Sequence, residues 1–316
     1  MFSKVSALTI IAGICISITA TGCAPEANLS MNFAQDSAVT YKVASELIAT
    51  HRFEQPSVNK LEEKQAGSKI ELEFSQQIKS VDANGNATAK ITILGIKYFA
   101  VSLKGVSFDF DSSRKADKAK PFAKLIGQSY TIQIAPDGAI KVINTKKAGS
   151  VVKGGMDGKV AKALLSDSNL SRIHQILALP ESAGVACRKG YSWTKSQKTH
   201  PRLKWAPKTF EKTYTVTGVE NRGEHQIASI TMTAGEDTGA EKGESPMPGI
   251  FSNMLDPEES FTGQMVIDLN TGLVHKYSEK FIGTYTAVEA VGPNAEKDPD
   301  IFTMGFTDTV TIERVN

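Results

Sequence analysis

The sequence predicts a mainly β protein with minor helices, an α+β arrangement built from antiparallel curved sheets or an open barrel. Three observations predict it. Apolar and polar residues alternate in most segments from residue 38 onward, the period of half-buried strands. Glycine-containing turns join these segments at regular places. Only one region, near residues 159–179, switches to a helical period. Residues 38–316 thus form a β-rich domain, which also divides into two candidate repeats, 38–185 and 186–316.

Taken in order, Val39, Tyr41 and Val43 alternate with Thr40, Lys42 and Ala44, and Gln55–Gly67 is charged and loop-like. Lys69–Lys79 is the clearest strand. Ile70, Leu72, Phe74 and Ile78 fall on one side, with Lys69, Glu71, Glu73, Gln77 and Lys79 on the other, as in an antiparallel sheet with one wet face. Asn84-Gly85 predicts a type I′ hairpin, which needs positive φ at both positions. Ala89, Ile91 and Ile93 return, Gly95 marks a bulge, and Val106, Phe108 and Phe110 form the next strand. Ser112–Lys120 reads as a basic, solvated segment and Pro121–Ile126 as a short helix. Tyr130, Ile132 and Ile134 then run into Pro136-Asp137-Gly138, and Ile140 and Val142 return.

From Lys159 the period changes. Val160, Ala163 and Leu164 share a helical face. After Asp167 or Ser168 as N-cap, Leu170, Ile173 and Leu177 share another, and Pro180 ends the run. In the second half, Tyr214 and Val216 lead through Glu220–Gly223 to Ala228, Ile230 and Met232. A long loop, Gly235–Ser260, carries a short helix around Ile250–Leu255. Met265, Ile267 and Leu269 enter Asn270-Thr271-Gly272, Leu273–Val288 returns, and Phe302, Met304, Phe306, Val310 and Ile312 supply closing strands. Gly85 and Gly138 lie 53 residues apart, and Gly223 and Gly272 lie 49 apart. That similarity suggests duplication, although any antiparallel meander produces hairpins in this order.

Before the domain, Lys4 is followed by an apolar run over Val5–Ala20, then Thr21-Gly22-Cys23. A short charged start, an apolar core and small residues at a cut site form a secretory signal peptide, 1–22, rather than a membrane span. The end of this stretch resembles the bacterial lipobox, with Ala20 where Leu is usual. The resemblance implies lipid on Cys23, which would anchor the chain to a membrane, with 23–37 as a polar tether. Ordinary signal cleavage is the alternative, leaving Cys23 free. Ala24 lacks the Asp that resembles an inner-membrane retention signal. The expected location is therefore the bacterial cell envelope, lipid-anchored, with the outer membrane favoured and the domain facing the periplasm or exterior. Of the 36 Lys and Arg only Lys4 leaves with the signal, so 35 face 34 Asp and Glu. This near-neutral balance supplies no field for nucleic acid.

Gly127-Gln128-Ser129-Tyr130, the strand and Pro136-Asp137-Gly138 after it, and Gly190-Tyr191-Ser192-Trp193 resemble a family of bacterial lipoproteins catalogued as a domain of unknown function. The resemblance implies a secreted, β-rich protein and assigns no catalytic residue.

The chemistry-bearing residues form no recognised constellation. His51, His174, His200, His225 and His275 are far apart, and no close metal-ligand spacing occurs. Asp82-x-Asn84-x-Asn86 begins like a calcium loop, but the glycine stands fourth and Ile93 occupies position twelve. Ser192 lacks an adjacent base. Asp109 and Asp111 share a strand face and read as a solvated edge. Arg114, Lys115, Lys118, Lys120 and Lys124 make a basic run interrupted by Asp117. Trp193 and Trp205 read as core or rim aromatics, and Cys187 as a small apolar residue. No cofactor, metal or catalytic residue is assigned. The expected function is non-enzymatic binding of an apolar ligand or protein partner, by analogy with half-barrel lipoprotein carriers. The alternatives are a structural or assembly lipoprotein docking through Met247, Ile250, Phe251, Met254 and Leu255, and a hydrolase with an unrecognised site.

Overall fold

A computed structural model describes residues 28–176, 178–180, 187–198, 209–236, 255–289 and 298–315. Among the described residues, twelve antiparallel strands make one open, curved sheet, and 61% of those residues are strand, so the helices are left to cover one face. The first half supplies β1 (Ala38–Gln55), β2 (Lys60–Val81), β3 (Ala87–Ser102), β4 (Gly105–Asp111), β5 (Ser129–Ile134) and β6 (Ile140–Asn144). The second supplies β7 (Ser192–Lys198), β8 (Thr209–Arg222), β9 (His225–Glu236), β10 (Leu255–Asp268), β11 (Val274–Val288) and β12 (Ile301–Arg314). The sheet order is β6-β5-β3-β2-β1-β12-β11-β10-β9-β8-β7, with β4 paired to the far half of β3. Nearly every neighbour is a sequence neighbour, and the one distant pairing, β1 with β12, joins the two halves at the centre. A sequential meander orders its hairpins this way with or without duplication.

The alternating pattern explains which face is covered. Tyr41 lies opposite Phe74, and Val43 lies between Leu72 and Ile312. All five belong to the buried inner face. The bulge falls where Gly95 stands: β3 pairs Glu73 with Gly95 and Phe74 with Ile93, skipping Leu94. One extra residue there keeps both Ile93 and Ile96 inward and buried, although they are three positions apart. Leu94 is left exposed.

Several local expectations are corrected. Gln55–Gly67 is not a loop: β1 and β2 continue as a ladder to Gln55 and Lys60, with a 3-10 turn at Pro56–Val58 between them. Cross-strand pairing of alternating residues holds these charged arms extended. At the 82–86 turn Gly85 has φ 80° but Asn84 is absent from the positive-φ residues, so the turn is not type I′. Asp82 dictates its shape, accepting the Asn84 and Asn86 amides, each at 2.9 Å, and the Asn86 side-chain amide. The residues flanking 237–254 also differ from expectation, because β9 runs on to Glu236 and β10 already begins at Leu255.

The inner face is covered by α1 (Lys146–Gly149), α2 (Gly155–Leu164) and α3 (Asp167–His174). In α2 the buried residues are Ala161 and Leu164, while Ala163 faces outward, so the covered stripe is rotated from the expected one. Ser166, rather than Asp167 or Ser168, caps α3, its hydroxyl accepting the Asn169 amide. α3 presses Leu170, Ile173 and His174 inward. It ends at His174, well before Pro180, because Gln175 is already extended. Leu177 lies outside the described residues. The segment after α3 bridges the sheet edges. Leu179 donates to the Asp137 carbonyl at 3.0 Å, and Lys195 of β7 meets the Asp137 carboxylate at 3.4 Å. The lower end of the curved sheet is thus plugged.

Residues 28–37, expected to belong to a loose tether, instead pack at this lower end. Leu29 and Met31 are buried, and the Met31 amide donates to the Pro136 carbonyl at 2.8 Å. A Cβ on Gly272 would come within 2.1 Å of the Asn32 nitrogen, so this glycine permits the close approach as well as supplying φ 67°.

Candidate functional site

At mid-height, where the helical layer stops, three strands each place one charge in the apolar phase of their alternation. On β8 it is Lys212, between Phe210 and Tyr214. On β11 it is Glu279, between Tyr277 and Phe281, and on β12 it is Asp308, between Phe306 and Val310. The register brings these breaks together. Lys212 lies opposite Ala234, Ala234 opposite Phe261, Phe261 opposite Phe281, and Phe281 opposite Asp308. Asp308 in turn faces Leu47 of β1.

Buried charges must be matched, and these are. The Lys212 side chain is 2% exposed, and its Nζ lies 3.0 Å from Glu279 Oε2 and 4.6 Å from the Phe261 ring centre, within range of a cation–π contact. The Tyr277 hydroxyl donates to the same carboxylate oxygen at 3.1 Å. Burial, with Glu279's charge second, pushes the Tyr277 and Tyr214 phenols well up, so both stay protonated. From α3, Arg172 reaches across to the sheet. It donates to Ser45 Oγ at 2.7 Å, to Asp308 Oδ1 at 3.4 Å and to Asn169 Oδ1 at 3.0 Å. Burial draws the Arg172 pKa down from its usual value.

Between these groups lies a cavity of about 40 Å³, lined by Arg172, Gln175, Phe261, Tyr277, Glu279, Phe281, Asp308 and Val310. That volume is room for about three waters. Beneath it the inner face is buried. Phe74 packs edge-on against His174 at 4.7 Å, and Tyr130 Oη sits 2.7 Å from His174 Nε2. Burial lowers the His174 pKa to about 3; the ring is therefore neutral, and its Nε2 shares a hydrogen bond with the Tyr130 hydroxyl.

The residues singled out from sequence lie elsewhere, among structural contacts. Ser192 Oγ pairs with Thr215 Oγ1 at 2.9 Å. Asp109 is bound by Arg114, and Asp111 by Ser113. The basic run is no simple solvated face. Its interrupting acid, Asp117, is buried and gathers Arg114 at 2.6 Å, Lys120 at 2.7 Å and the Asp111 amide at 2.8 Å. Side-chain hydrogen bonding, led by Lys120, holds its pKa at about 2. Trp193 stacks between Tyr191 and Tyr214 and donates to the Ala178 carbonyl at 2.9 Å. Cys187 is half-buried against the core with its thiol raised to about 11 by burial, an unreactive setting. His225 meets Asp268 at the 268–272 turn, and His51 lies against Phe302. No metal-ligand cluster occurs among the described residues. Cys23, Trp205, His200, Met247, Ile250, Phe251 and Met254 lie outside the described residues. No helix among those described is long and apolar enough to cross a membrane.

Arg172, Lys212, Glu279 and Asp308 were not singled out by the sequence reading. The signal for three of them is a charge in the apolar phase of a strand.

No family model and no curated protein matches the chain. Among solved structures, lipovitellin, studied for its lipid–protein interactions, is similar at 9% identity and TM-score 0.44, over 89% of this chain but 25% of lipovitellin's. A DUF1329 family protein from Desulfovibrio piger is similar at 8% identity and TM-score 0.14, over 84% of both chains. DynF from the dynemicin biosynthesis pathway of Micromonospora chersina is similar at 8% identity and TM-score 0.15, over 91% of this chain and 85% of its own. The chain spans a quarter of the lipovitellin chain, and likeness at these levels carries no argument about its ligand.

Proposed function

We propose that the chain is a non-enzymatic envelope lipoprotein, anchored through lipid on Cys23, whose curved sheet holds an apolar ligand. One observation carries the ligand reading. The inner face carries Phe281, Tyr285, Phe306, Met304 and Phe302 above the level where the helices stop, with His51 and Glu259 as polar groups among them. Concave, mostly apolar surfaces with a few placed polar groups are the usual form of small-molecule sites. The purified chain is expected to take up a hydrophobic dye and to carry excess native mass after gentle purification. A chain that shows neither has no such site.

The anchor is tested separately. Cys23→Ala is expected to leave the precursor uncleaved or to move the protein out of the detergent-dependent membrane fraction. Fractionation unchanged by the substitution would sink the lipid assignment and leave the ligand reading untouched. Outer-membrane placement rests on Ala24 after the cysteine.

A further inference from the structure

We propose that the outer face of the β3–β4 hairpin is a docking surface for an anionic lipid bilayer. The strand period builds its apolar part. Ile96, Tyr98 and Ala100 point to the concave side of β3, so Phe99 and Val101 point out. The bulge after Ala100 seats Val106 of β4 opposite Val101 on that outward side, and Leu103 stands in the turn between the strands. Phe99, Leu103 and Val106 are 45%, 54% and 64% exposed, so three large apolar side chains meet water within one hairpin. A grouped apolar surface of this kind marks a partner.

The surrounding charge says which. Residues 97–124 carry seven Lys and Arg against three Asp, whereas the rest of the chain after residue 22 carries 28 against 31 Asp and Glu. On the outer face below the apolar group, Lys42, Lys69 and Lys97 share the Glu71 carboxylate at 3.6, 3.7 and 3.8 Å, and Lys97 also reaches Asp111 at 4.0 Å. Three cations thus face two carboxylates, and Lys104 in the turn is exposed. Apolar side chains ringed by lysines suit an anionic bilayer: the former enter the acyl boundary and the ammonium groups meet the phosphates.

The adjoining strand edge is closed to an extended peptide. Ser112 donates to the Ile96 carbonyl at 2.9 Å, so the alternation turns the backbone groups of Asp109 and Asp111 away from β3. There the Asp111 amide donates to Asp117 Oδ2 at 2.8 Å, and Lys120 Nζ donates to the Asp109 carbonyl at 3.1 Å. A strand added at these positions would have to displace a Lys120–Asp117 ion pair of 2.7 Å. Strand addition is therefore blocked at this end of β4, and the outer face remains the surface on offer. It stands apart from the cleft and from Cys23, so it depends on neither.

The test uses the full chain with Leu103→Cys carrying a polarity-sensitive dye, and the parent put through the same labelling as background. The chain is added to vesicles of phosphatidylcholine with or without phosphatidylglycerol. A blue shift is expected only with phosphatidylglycerol, fading as salt rises. Lys97→Glu with Lys104→Glu should raise the half-maximal lipid concentration about five-fold per unit of charge lost, and Phe99→Ser with Val106→Ser about ten-fold. The same dye at Met156→Cys, on the helical side, should not shift. No shift with phosphatidylglycerol, an equal shift on both vesicle types, or an equal shift at Met156 overturns the proposal. So does a shift that the lysine changes leave untouched in a chain that melts like the parent; if that variant fails to fold, the salt series decides. A label that answers soluble polyglutamate but not vesicles overturns it in favour of an acidic protein. Flotation with phosphatidylcholine vesicles reads the Cys23 anchor separately, and a chain without that lipid leaves this test intact.

Discussion

Lowering the pH from about 6.5 to about 4.5 is expected to destabilise the chain by roughly 1.4 kcal/mol per pH unit, and His174→Phe combined with Tyr130→Phe is expected to remove most of that slope. The cause is the buried imidazole. Folded His174 has its pKa lowered from 6.5 to about 3 by burial, so below 6.5 the unfolded chain binds a proton that the folded chain does not. Stability therefore falls with pH until the folded pKa is reached, a loss approaching 4 to 5 kcal/mol over the full window. Aspartates with lowered pKa values, such as Asp117 at about 2, act with the same sign. Their share of stability is present above the unfolded value of 3.8 and disappears as pH falls through the folded one, so the range above about 4.5 isolates histidine. His275, also lowered chiefly by burial, adds a smaller slope that the double variant leaves in place. Changing both residues matters, because His174→Phe alone strands the Tyr130 hydroxyl at a cost of about 1–3 kcal/mol. Urea midpoints across pH decide it: an equal slope in parent and double variant would place the acid sensitivity elsewhere.

Much of the fold was legible because the sheet is a meander. Lys69–Lys79 alternates strictly, and Gly95 and Gly138 stand where a bulge and a turn require them. The central β1–β12 pairing was not legible, since nothing local in 38–55 points to 301–314. It becomes necessary only once all the other strands are placed. Reading Gln55–Gly67 as a loop failed for a related reason. Charge composition there reports solvent on both faces, whereas the extended conformation comes from pairing along the ladder. Likewise Leu29 and Met31 were hidden in a polar stretch, two apolar side chains without a period, and only Gly272 opposite them leaves the room they occupy. At the site, each charge was visible but its partner was not. Lys212, Glu279 and Asp308 are distant in sequence, and only the register shows that the breaks at Lys212 and Asp308 share one level and that Glu279, opposite Val310, stands on the next.

That level supplies the second large expected effect. Lys212→Met should destabilise the chain by about 3–5 kcal/mol, and Glu279→Leu by a similar amount, whereas the two together should fold within about 1–2 kcal/mol of the parent or above it. Either single change leaves a charge facing an apolar wall. Lys212, 2% exposed, would keep only the Phe261 ring, and Glu279, 23% exposed, would keep only the Tyr277 hydroxyl. Partial exposure of Glu279 places Lys212→Met at the lower end of the range. Removing both lifts two desolvation costs at once while preserving side-chain volume, which is why a paired replacement is tolerated where a single one is not. Chemical denaturation of the four proteins in the cycle gives the coupling directly. A Lys212→Met cost below about 1 kcal/mol is what a solvated surface pair gives, and it would mean that water reaches Glu279 freely. A large coupling with a stable double variant carries a different consequence: the pair is then no net source of stability, and each charge is tolerated in the apolar phase of its strand only because the other is there.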